Sequence, residues 1–348
     1  MTTPAPPAGT GVAAAPGTPP TPATPGGPRA GVVHEGGGLR LVDLRELPWE
    51  PHMGIPGGLQ KTLVRHPEGW SSVQVTWIPP GLKGGDRPER HFHRSVLERG
   101  IVLFGELPMR EYAGPDDRHG VPVLFREGFF MDRRPGSVHG IDPDQASATG
   151  FVMLEWRTGP GTFLWEDGAD EETVMLDAER RPGTRALRPG GAPPWVVVDS
   201  GGLTLLDTRA MPWESHDGIP GASVRVLTRA PEGHTDTVIL QLPPLPADPA
   251  AEPHRHFHRT VHELGYVLGG ELPMREYAGE DDDVGVRVRF HEDCFMDRAP
   301  GSVHGLDPSR ATVPGFTFLE WRDGPGTYLH EAGVEHETVV LPAARLPG

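Results

Sequence analysis

The apolar residues of the chain fall into short runs that are separated by clusters of proline, glycine and aspartate. Such runs occupy residues 73–78 (VQVTWI), 100–107 (GIVLFGEL), 121–125 (VPVLF) and 151–156 (FVMLEW). None keeps the i, i+3, i+4, i+7 spacing of an amphipathic helix over three turns, and helix is expected only in short pieces such as 170–180. Short strands with turn signals between them predict an all-β sandwich or barrel.

The same pattern occurs twice along the chain. Residues 88–112 recur as 253–277 with 19 of 25 positions identical, and the whole similarity extends over 39–164 and 203–329. A tandem duplication of one domain accounts for this correspondence.

Domain boundaries follow from the repeat and from local composition. Residues 1–31 consist mainly of proline, alanine, glycine and threonine, so a disordered tail is expected there. We expect the first domain at 32–180 and the second at 195–348. The segment between them, 181–194, is rich in proline, glycine and arginine and is predicted to be a linker.

Two histidines one residue apart open the most informative segment of each repeat. On a strand, residues i and i+2 point to the same face, so His91 and His93 project two imidazoles to one side. Glu98 follows after a short turn, and His139 comes from a later strand. Three nitrogens and one carboxylate oxygen would bind a divalent metal with one or two positions open to water or substrate. The second repeat has the same residues at the same spacing, namely His256, His258, Glu263 and His304.

These residues resemble the first motif of the cupin superfamily, which has two histidines separated by one residue, a glutamate five positions later and a glycine seven beyond it. Gly105 and Gly270 complete that motif in the two copies, and Gly128, Gly136 and His139 match the second cupin motif in part. The resemblance implies two tandem jelly-roll barrels, also called double-stranded β-helices, with a metal inside each barrel mouth.

The resemblance also implies a function. We expect a two-domain metalloenzyme, an Fe(II) dioxygenase acting on a small organic substrate with O₂, in which Glu98 and Glu263 are catalytic. One divalent metal is expected per domain, with Fe(II) favoured and Mn(II), Ni(II), Cu(II) or Zn(II) as alternatives. Two other functions remain open. One is a non-redox enzyme (decarboxylase, isomerase or cyclase), and the other is a non-catalytic domain that binds or senses a small molecule through its metal.

Charge and cysteine content narrow the partners and the compartment. The chain has 348 residues and a formal net charge of −16, which repels phosphate backbones and anionic lipid, so neither nucleic acid nor a membrane is expected as a partner. No apolar run is long enough to span a bilayer. The single cysteine, Cys294, fits a reducing cytoplasm. The sequence leaves open whether the chain forms a homo-oligomer.

Strand parity gives an expectation about the two cavities. Counted from Glu98, it places Phe104 on the inward face, where the second repeat has Gly269. We therefore expect the second barrel to be more open and the better substrate site, with His254 and His262 as further titratable groups near it. The alternative is that Phe104 packs under the barrel, since a slip of one residue inverts the assignment.

A structural role is expected for the remaining candidates, either in Arg–Glu bridges or in packing. An inward arginine could instead hold a substrate carboxylate. These candidates are Arg110, Arg275, Glu155 with Arg157, Glu320 with Arg322, Trp49 with His52, Trp213 with His216, and Cys294.

Removal of residues 1–30 is expected to leave folding and metal content unchanged, because nothing in this segment can be buried. The measurement is thermal unfolding together with metal analysis of the full-length and shortened proteins. A Tm lower by several degrees after truncation would show that the segment docks on a barrel.

Overall fold

The computed structural model describes residues 31–52, 55–84, 90–160, 169–176, 190–216, 221–231, 233, 235–248, 251, 255–312, 314–325 and 337–342. Residues 1–30 of the predicted tail, residues 181–189 of the predicted linker and His254 lie outside the described residues.

The described residues form an all-β structure, as the sequence pattern predicts. The first half contains β1 (Val32–Gly36), β2 (Leu39–Asp43), β3 (Glu50–Pro51), β4 (Leu59–Arg65), β5 (Ser71–Ile78), β6 (His91–His93), β7 (Glu98–Glu111), β8 (Val121–Arg126), β9 (Phe129–Arg133), β10 (His139–Ile141), β11 (Phe151–Arg157) and β12 (Thr173–Met175). The second half contains β13 (Val196–Ser200), β14 (Leu203–Asp207), β15 (Glu214–Ser215), β16 (Ser223–Arg229), β17 (Thr235–Leu242), β18 (Arg255–His258), β19 (Glu263–Glu276), β20 (Val286–His291), β21 (Cys294–Arg298), β22 (His304–Leu306), β23 (Phe316–Arg322) and β24 (Thr338–Leu341). Two short helical pieces have described bounds, a 3₁₀ turn at Leu44–Glu46 and α1 at Ala169–Glu172.

The strands form two twelve-stranded antiparallel sheets. In one sheet the order is β12-β6-β10-β7-β11-β5-β4-β3, with β8 and β9 also paired to β7. In the other sheet the order is β1-β2-β21-β19-β23-β17-β16-β15, with β20 and β22 also paired to β19. The long strands β7 and β19 each have four partners, so each passes from one wall of a barrel to the other.

A β-bulge marks this passage in each long strand. In β7 the register against β11 shifts after Val102, and Leu103 is the extra residue. Gly105 follows with φ of 74°, and a Cβ at this position would collide with the carbonyl oxygen of Gly150. The inward face therefore moves from even-numbered positions before the bulge to odd-numbered positions after it. The register of β19 shifts at the equivalent place.

Each repeat gives its first hairpin to the barrel of the other repeat. Strand β2 pairs with β21, so that Leu41 lies opposite Met296, and β14 pairs with β9, so that Leu205 lies opposite Met131. Leu41 and Leu205 are fully buried in the two hydrophobic cores. Neither repeat therefore contains a complete barrel by itself.

Paired glycines shape the turns of these exchanged hairpins. Gly37 and Gly38 have φ of 59° and 87°, and Gly201 and Gly202 have φ of 62° and 88°. Two successive residues in the left-handed region form the tight turn that suits the twist of a hairpin, and glycine adopts this conformation at low cost. The hairpins are thus specified locally, whereas their partner strands are distant in the sequence.

The compact units of the structure therefore differ from the repeats of the sequence. One unit contains the described residues of 1–48, 218–222 and 240–348, and the other contains those of 49–217 and 223–239. We call the barrel built around β7 the first barrel and the barrel built around β19, whose sheet includes β15–β17, the second barrel. The predicted domain boundaries follow the sequence repeats and stay a prediction.

The exchange predicts where core mutations act. Leu41→Ala should lower the free energy of unfolding by about 2–5 kcal/mol, because it removes a fully buried side chain. Hydrogen exchange measured by mass spectrometry should then quicken in β21, whereas the matched variant Leu205→Ala should quicken exchange in β9. Faster exchange of β9 in Leu41→Ala would contradict the observed strand pairing.

Candidate metal centres

Three histidines of the first barrel meet where β6 and β10 pair. His91 and His93 are the ends of the three-residue strand β6, and His139 begins β10 opposite His91. One ligand atom from each side chain lies within 4.8 Å of the others. The three residues are buried, and the ring centroids of His91 and His139 are 4.3 Å apart. The two strands therefore bring together the imidazoles that the sequence predicts.

Glu98, the first residue of β7, adds a carboxylate to this cluster. Its Oε1 lies 3.4 Å from Nε2 of His93, and its Oε2 lies 3.7 Å from Nε2 of His139. Burial alone would raise the pKa of Glu98, but the charges of His93 and Arg133 outweigh burial and the pKa is lowered. The carboxylate is therefore in its charged form.

The second barrel repeats the arrangement. Ligand atoms of His256, His258 and His304 also lie within 4.8 Å of one another. Oε1 of Glu263 is 3.2 Å from Nε2 of His258, and Oε2 is 3.8 Å from Nε2 of His304. Burial opposes ionisation of Glu263, but the hydrogen bond from His258 and nearby positive charges hold its pKa well below the ordinary value. Both barrels thus contain the same four groups.

Polar partners behind the rings orient the imidazoles. Nδ1 of His139 donates to the carbonyl of Ser137 at 3.0 Å, and Nδ1 of His93 lies 3.2 Å from the Thr173 hydroxyl oxygen. Burial lowers the pKa of His139 well below its ordinary value, and the charge of Arg133 lowers it further. Neutral imidazoles that present Nε2 are the form that binds a metal.

Buried atoms without a hydrogen bond mark the same place. Within the described part of the chain, these atoms include Nε2 of His93 and His304 and Oε2 of Glu98 and Glu263. Each such atom costs about 1–3 kcal/mol if nothing compensates it. Three nitrogens and one carboxylate oxygen form a donor set that fits one divalent metal in each barrel.

A buried arginine holds the cluster glutamate from behind. Nη1 of Arg133 lies 3.6 Å from Oε2 of Glu98, and its Nη2 donates to Oε1 of Glu111 at 2.6 Å. Burial raises the pKa of Glu111 to about 7 although the arginine opposes this shift. The single guanidinium thus compensates two carboxylates inside the barrel.

Short-range spacing in the sequence does not reveal this arginine or its second carboxylate. In the second barrel, Nη1 of Arg298 lies 3.5 Å from Glu263, and Nη2 donates to Glu276 at 2.6 Å. The repeated sequence FMDR carried the signal, because its methionine and arginine alternate with outward residues and both line a cavity.

Each barrel contains a cavity beside its cluster glutamate. The first cavity has a volume of about 100 Å³ and the second about 50 Å³. Apolar side chains form most of both walls. The polar residues in the wall of the first cavity are His52, Gln74, Thr76, His91, Glu98, Arg133, His139 and Glu155. Those in the wall of the second cavity are Glu263, Arg298 and Glu320.

The prediction that Phe104 faces the first cavity is wrong. The bulge at Leu103 reverses the parity, so Leu107 and Met109 line the cavity and Phe104 does not. Gly269 is not among the residues that line the second cavity, so this glycine does not enlarge it. Because the first cavity is the larger, the expectation of a more open second barrel is also wrong.

The arginines of the LPMREY segments form structural bridges. Arg110 contacts Asp142 at 3.2 Å, and Arg275 contacts Asp307 at 3.2 Å. Neither arginine lines the described cavity of its barrel. The structural role expected for them is therefore confirmed.

The two Glu–Arg pairs near the end of each repeat have a different position. Oε1 of Glu155 lies 3.5 Å from Nε of Arg157, and Oε1 of Glu320 lies 3.4 Å from Nη1 of Arg322. Both glutamates line the cavities. A purely structural role is thus too narrow a description of these carboxylates.

The tryptophans of the Trp-Glu-Xaa-His segments pack against cations. Nζ of Lys61 lies 4.5 Å from the ring centroid of Trp49, and the guanidinium of Arg225 lies 3.9 Å from that of Trp213. Both contacts lie within one repeat, so the expected packing of the tryptophans between the two copies stays a prediction. His52, by contrast, lines the first cavity.

His262 and Cys294 lie apart from the second cavity wall. Nε2 of His262 is 2.7 Å from Oδ1 of Asp297, and this hydrogen bond raises the pKa of the half-buried histidine. Cys294 is fully buried in the apolar core, and burial raises the pKa of its thiol to about 11. Packing is therefore the role of the cysteine, as expected.

No family model and no curated protein matches the chain. Among solved structures, the chain is similar to protein YlbA from E. coli at 11% identity, with a TM-score of 0.46 over 85% of this chain and 95% of that chain. It is similar to oxalate decarboxylase from Lactobacillus farciminis, in a formate complex, at 12% identity, with a TM-score of 0.49 over 86% and 88% of the two chains. It is similar to oxalate decarboxylase from Bacillus subtilis at 14% identity, with a TM-score of 0.47 over 86% of this chain and 78% of that chain. Similarity of this degree carries no argument about activity.

The class of protein follows from the chain's own architecture. Two antiparallel barrels, each with three buried histidines and a glutamate inside, give the chain the fold and the donor groups expected of a two-domain cupin. The histidine clusters fit one metal in each domain. No helix in the described ranges has the length and apolar character needed to cross a membrane.

Substitution of one ligand should remove one metal. His93→Ala and His258→Ala are each expected to lose about one metal equivalent per chain, and the double variant should lose both. First-row metals bind such ligands directly, at about 2.0–2.2 Å, so alanine leaves one coordination position without a protein ligand. Elemental analysis of protein purified without chelator measures the metal content, with His66→Ala, a half-buried histidine outside both clusters, as control. Full metal content in the double variant would contradict the assignment.

Removal of the buried arginine should weaken the first centre. Arg133→Ala leaves Glu98 and Glu111 without their buried cation, so the free energy of unfolding should fall by about 3–5 kcal/mol. The affinity of the first barrel for metal should fall by about 10–100-fold. Chemical denaturation and metal titration are the measurements, and Arg110→Ala, which breaks a bridge outside the cavity, is the control. An unchanged metal affinity would contradict the positioning role.

Proposed function

We propose that the protein is a metal-dependent enzyme that catalyses a non-redox reaction on a small organic substrate, namely a decarboxylation, an isomerisation or a cyclisation. The observation that carries the proposal is a second carboxylate in each cavity wall, Glu155 in the first barrel and Glu320 in the second. Each lies in the same cavity as the cluster glutamate and is not one of the four clustered groups.

Reactions of this kind require a proton to move to or from a carbon or oxygen of the substrate. A carboxylate beside the bound substrate can carry that proton as a general acid or base. Burial raises the pKa of Glu320, and the charge of Arg322 opposes this shift. The arginine beside each glutamate, 3.4–3.5 Å away, limits where the carboxylate can point.

The proposed ligands of the metal are His91, His93, Glu98 and His139 in the first barrel and His256, His258, Glu263 and His304 in the second. A divalent metal held there would act as a Lewis acid on a substrate oxygen. In this proposal Glu98 and Glu263 serve the reaction as metal ligands. The apolar walls exclude water, so that a proton delivered by the wall glutamate is not lost to solvent.

The Fe(II) dioxygenase expected from the resemblance remains a second hypothesis. The donor set suits Fe(II), Mn(II), Ni(II), Cu(II) and Zn(II) alike, so it does not favour redox chemistry. Dioxygenation also gives no evident role to a second carboxylate in the cavity. A binding or sensing domain would need a metal and a cavity but no proton carrier.

The test follows turnover in the absence of oxygen. Protein loaded separately with Mn(II), Fe(II) or Zn(II) is incubated under argon in D₂O with small hydroxy, oxo and dicarboxylic acids, and NMR detects products and incorporated deuterium. Glu155→Gln combined with Glu320→Gln should lower the rate by about 10²–10⁴-fold at unchanged metal content. The exposed Glu50→Gln is the control.

Three outcomes would contradict the proposal. Turnover that requires O₂ would support the dioxygenase instead. Binding of a ligand without turnover under either gas would support a sensing domain. Full activity of the double glutamine variant would remove the proposed proton carrier.

A further inference from the structure

The two cavities differ along one strand of the wall. In β5 alternate residues face the first cavity, among them Gln74 and Thr76. At the equivalent positions of the second repeat the sequence has Val238 and Leu240, and Leu240 lines the second cavity. A polar pair in the first barrel is thus replaced by an apolar pair in the second.

The polar pair is held in a fixed orientation. Nη2 of Arg157 donates to Oε1 of Gln74 at 3.4 Å, and Nε2 of Gln74 donates to the hydroxyl oxygen of Thr76 at 3.1 Å. The Thr76 hydroxyl therefore accepts one hydrogen bond and keeps its own hydrogen for another. No acceptor for that hydrogen is found in the described ranges of the chain. A buried donor of this kind favours a ligand that brings an oxygen acceptor.

An aromatic ring occupies the corresponding space in the second barrel. Met153 lies opposite Thr76 in the first barrel, and the repeat has Phe318 in place of this methionine. The Phe318 ring lies over Gly265, where an added Cβ would collide with it. Gly265 is two residues from Glu263 on the same strand face, so the ring lies beside the metal cluster.

The charges around the first cavity favour an anionic ligand. Glu98, Glu111 and Glu155 lie close to Arg133 and Arg157. A divalent cation bound by the cluster would leave at least one positive charge uncompensated, which is costly in an apolar interior. A ligand carboxylate would neutralise that charge.

We infer that the first barrel is the substrate site, where Thr76 selects a small organic acid with an additional oxygen, and that Phe318 and Leu240 exclude this ligand from the second barrel. The inference rests on the proposed function for the presence of a metal and a substrate, but not for the type of reaction. Gln74 is a positioning residue, because it acts through the Thr76 hydroxyl.

The test measures binding without turnover. Cobalt(II) is loaded into His258→Ala, which keeps the first cluster, and into His93→Ala, which keeps the second, and the visible spectrum of each protein is titrated. The probes are glycolate and propionate, which have equal numbers of heavy atoms and differ in one hydroxyl group. Glycolate should change the spectrum of the first barrel only, and it should bind there about tenfold more tightly than propionate.

Two variants identify the residues responsible. Thr76→Val keeps the side-chain shape and removes the hydroxyl, so the preference for glycolate should disappear while the affinity for propionate stays the same. Leu240→Thr combined with Phe318→Met should give the second barrel a response to glycolate. Cobalt content and thermal unfolding establish that each variant is folded and loaded.

The inference is overturned if glycolate binds the second barrel alone, both barrels equally or neither barrel. A preference for glycolate that survives in Thr76→Val overturns the role of this hydroxyl. A second barrel that stays unresponsive after both substitutions overturns the role of Leu240 and Phe318. None of these measurements needs turnover, so their failure is distinct from a failure of the oxygen-free assay.

Discussion

Each metal centre depends on charge balance inside an apolar barrel. An ionised carboxylate is stable there only beside a positive charge, and Arg133 supplies that charge to both Glu98 and Glu111. The same guanidinium helps keep the imidazole of His139 neutral. One buried cation thus maintains the protonation states that metal binding requires.

The part of the centre that was predictable from sequence is the local part. The alternation of a strand is enough to align His91 with His93, and the repeat confirmed the pattern. Counting alternate residues along β7 gives the wrong inward face beyond Leu103, because this one inserted residue reverses the two faces of the strand. In the sequence only Gly105 marks the change. The ion pair of Arg133 with Glu111 joins strands that are separated in sequence, so no short spacing reveals it.

The exchange of hairpins could not be predicted for a related reason. The all-β class follows from short apolar runs, and the hairpin turns follow from Gly37–Gly38 and Gly201–Gly202. The receiving strands β9 and β21, however, share the sequence FMDR, so each hairpin meets nearly the same partner in either barrel. The match between a hairpin and its partner strand therefore does not show whether the hairpin pairs within its own repeat or with the other repeat.

The exchanged hairpins impose an order on biosynthesis. Translation produces β1 and β2 long before β21, the strand that pairs with β2 in the finished structure. The first barrel in turn lacks β14 until translation of the second repeat has begun. Until β21 has been made, Leu39 and Leu41 lack the strand that buries them in the finished structure, and exposed apolar surface of this kind is what a chaperone can recognise. The second barrel therefore cannot be completed before β21 is made, although it contains β1, the first of the described strands.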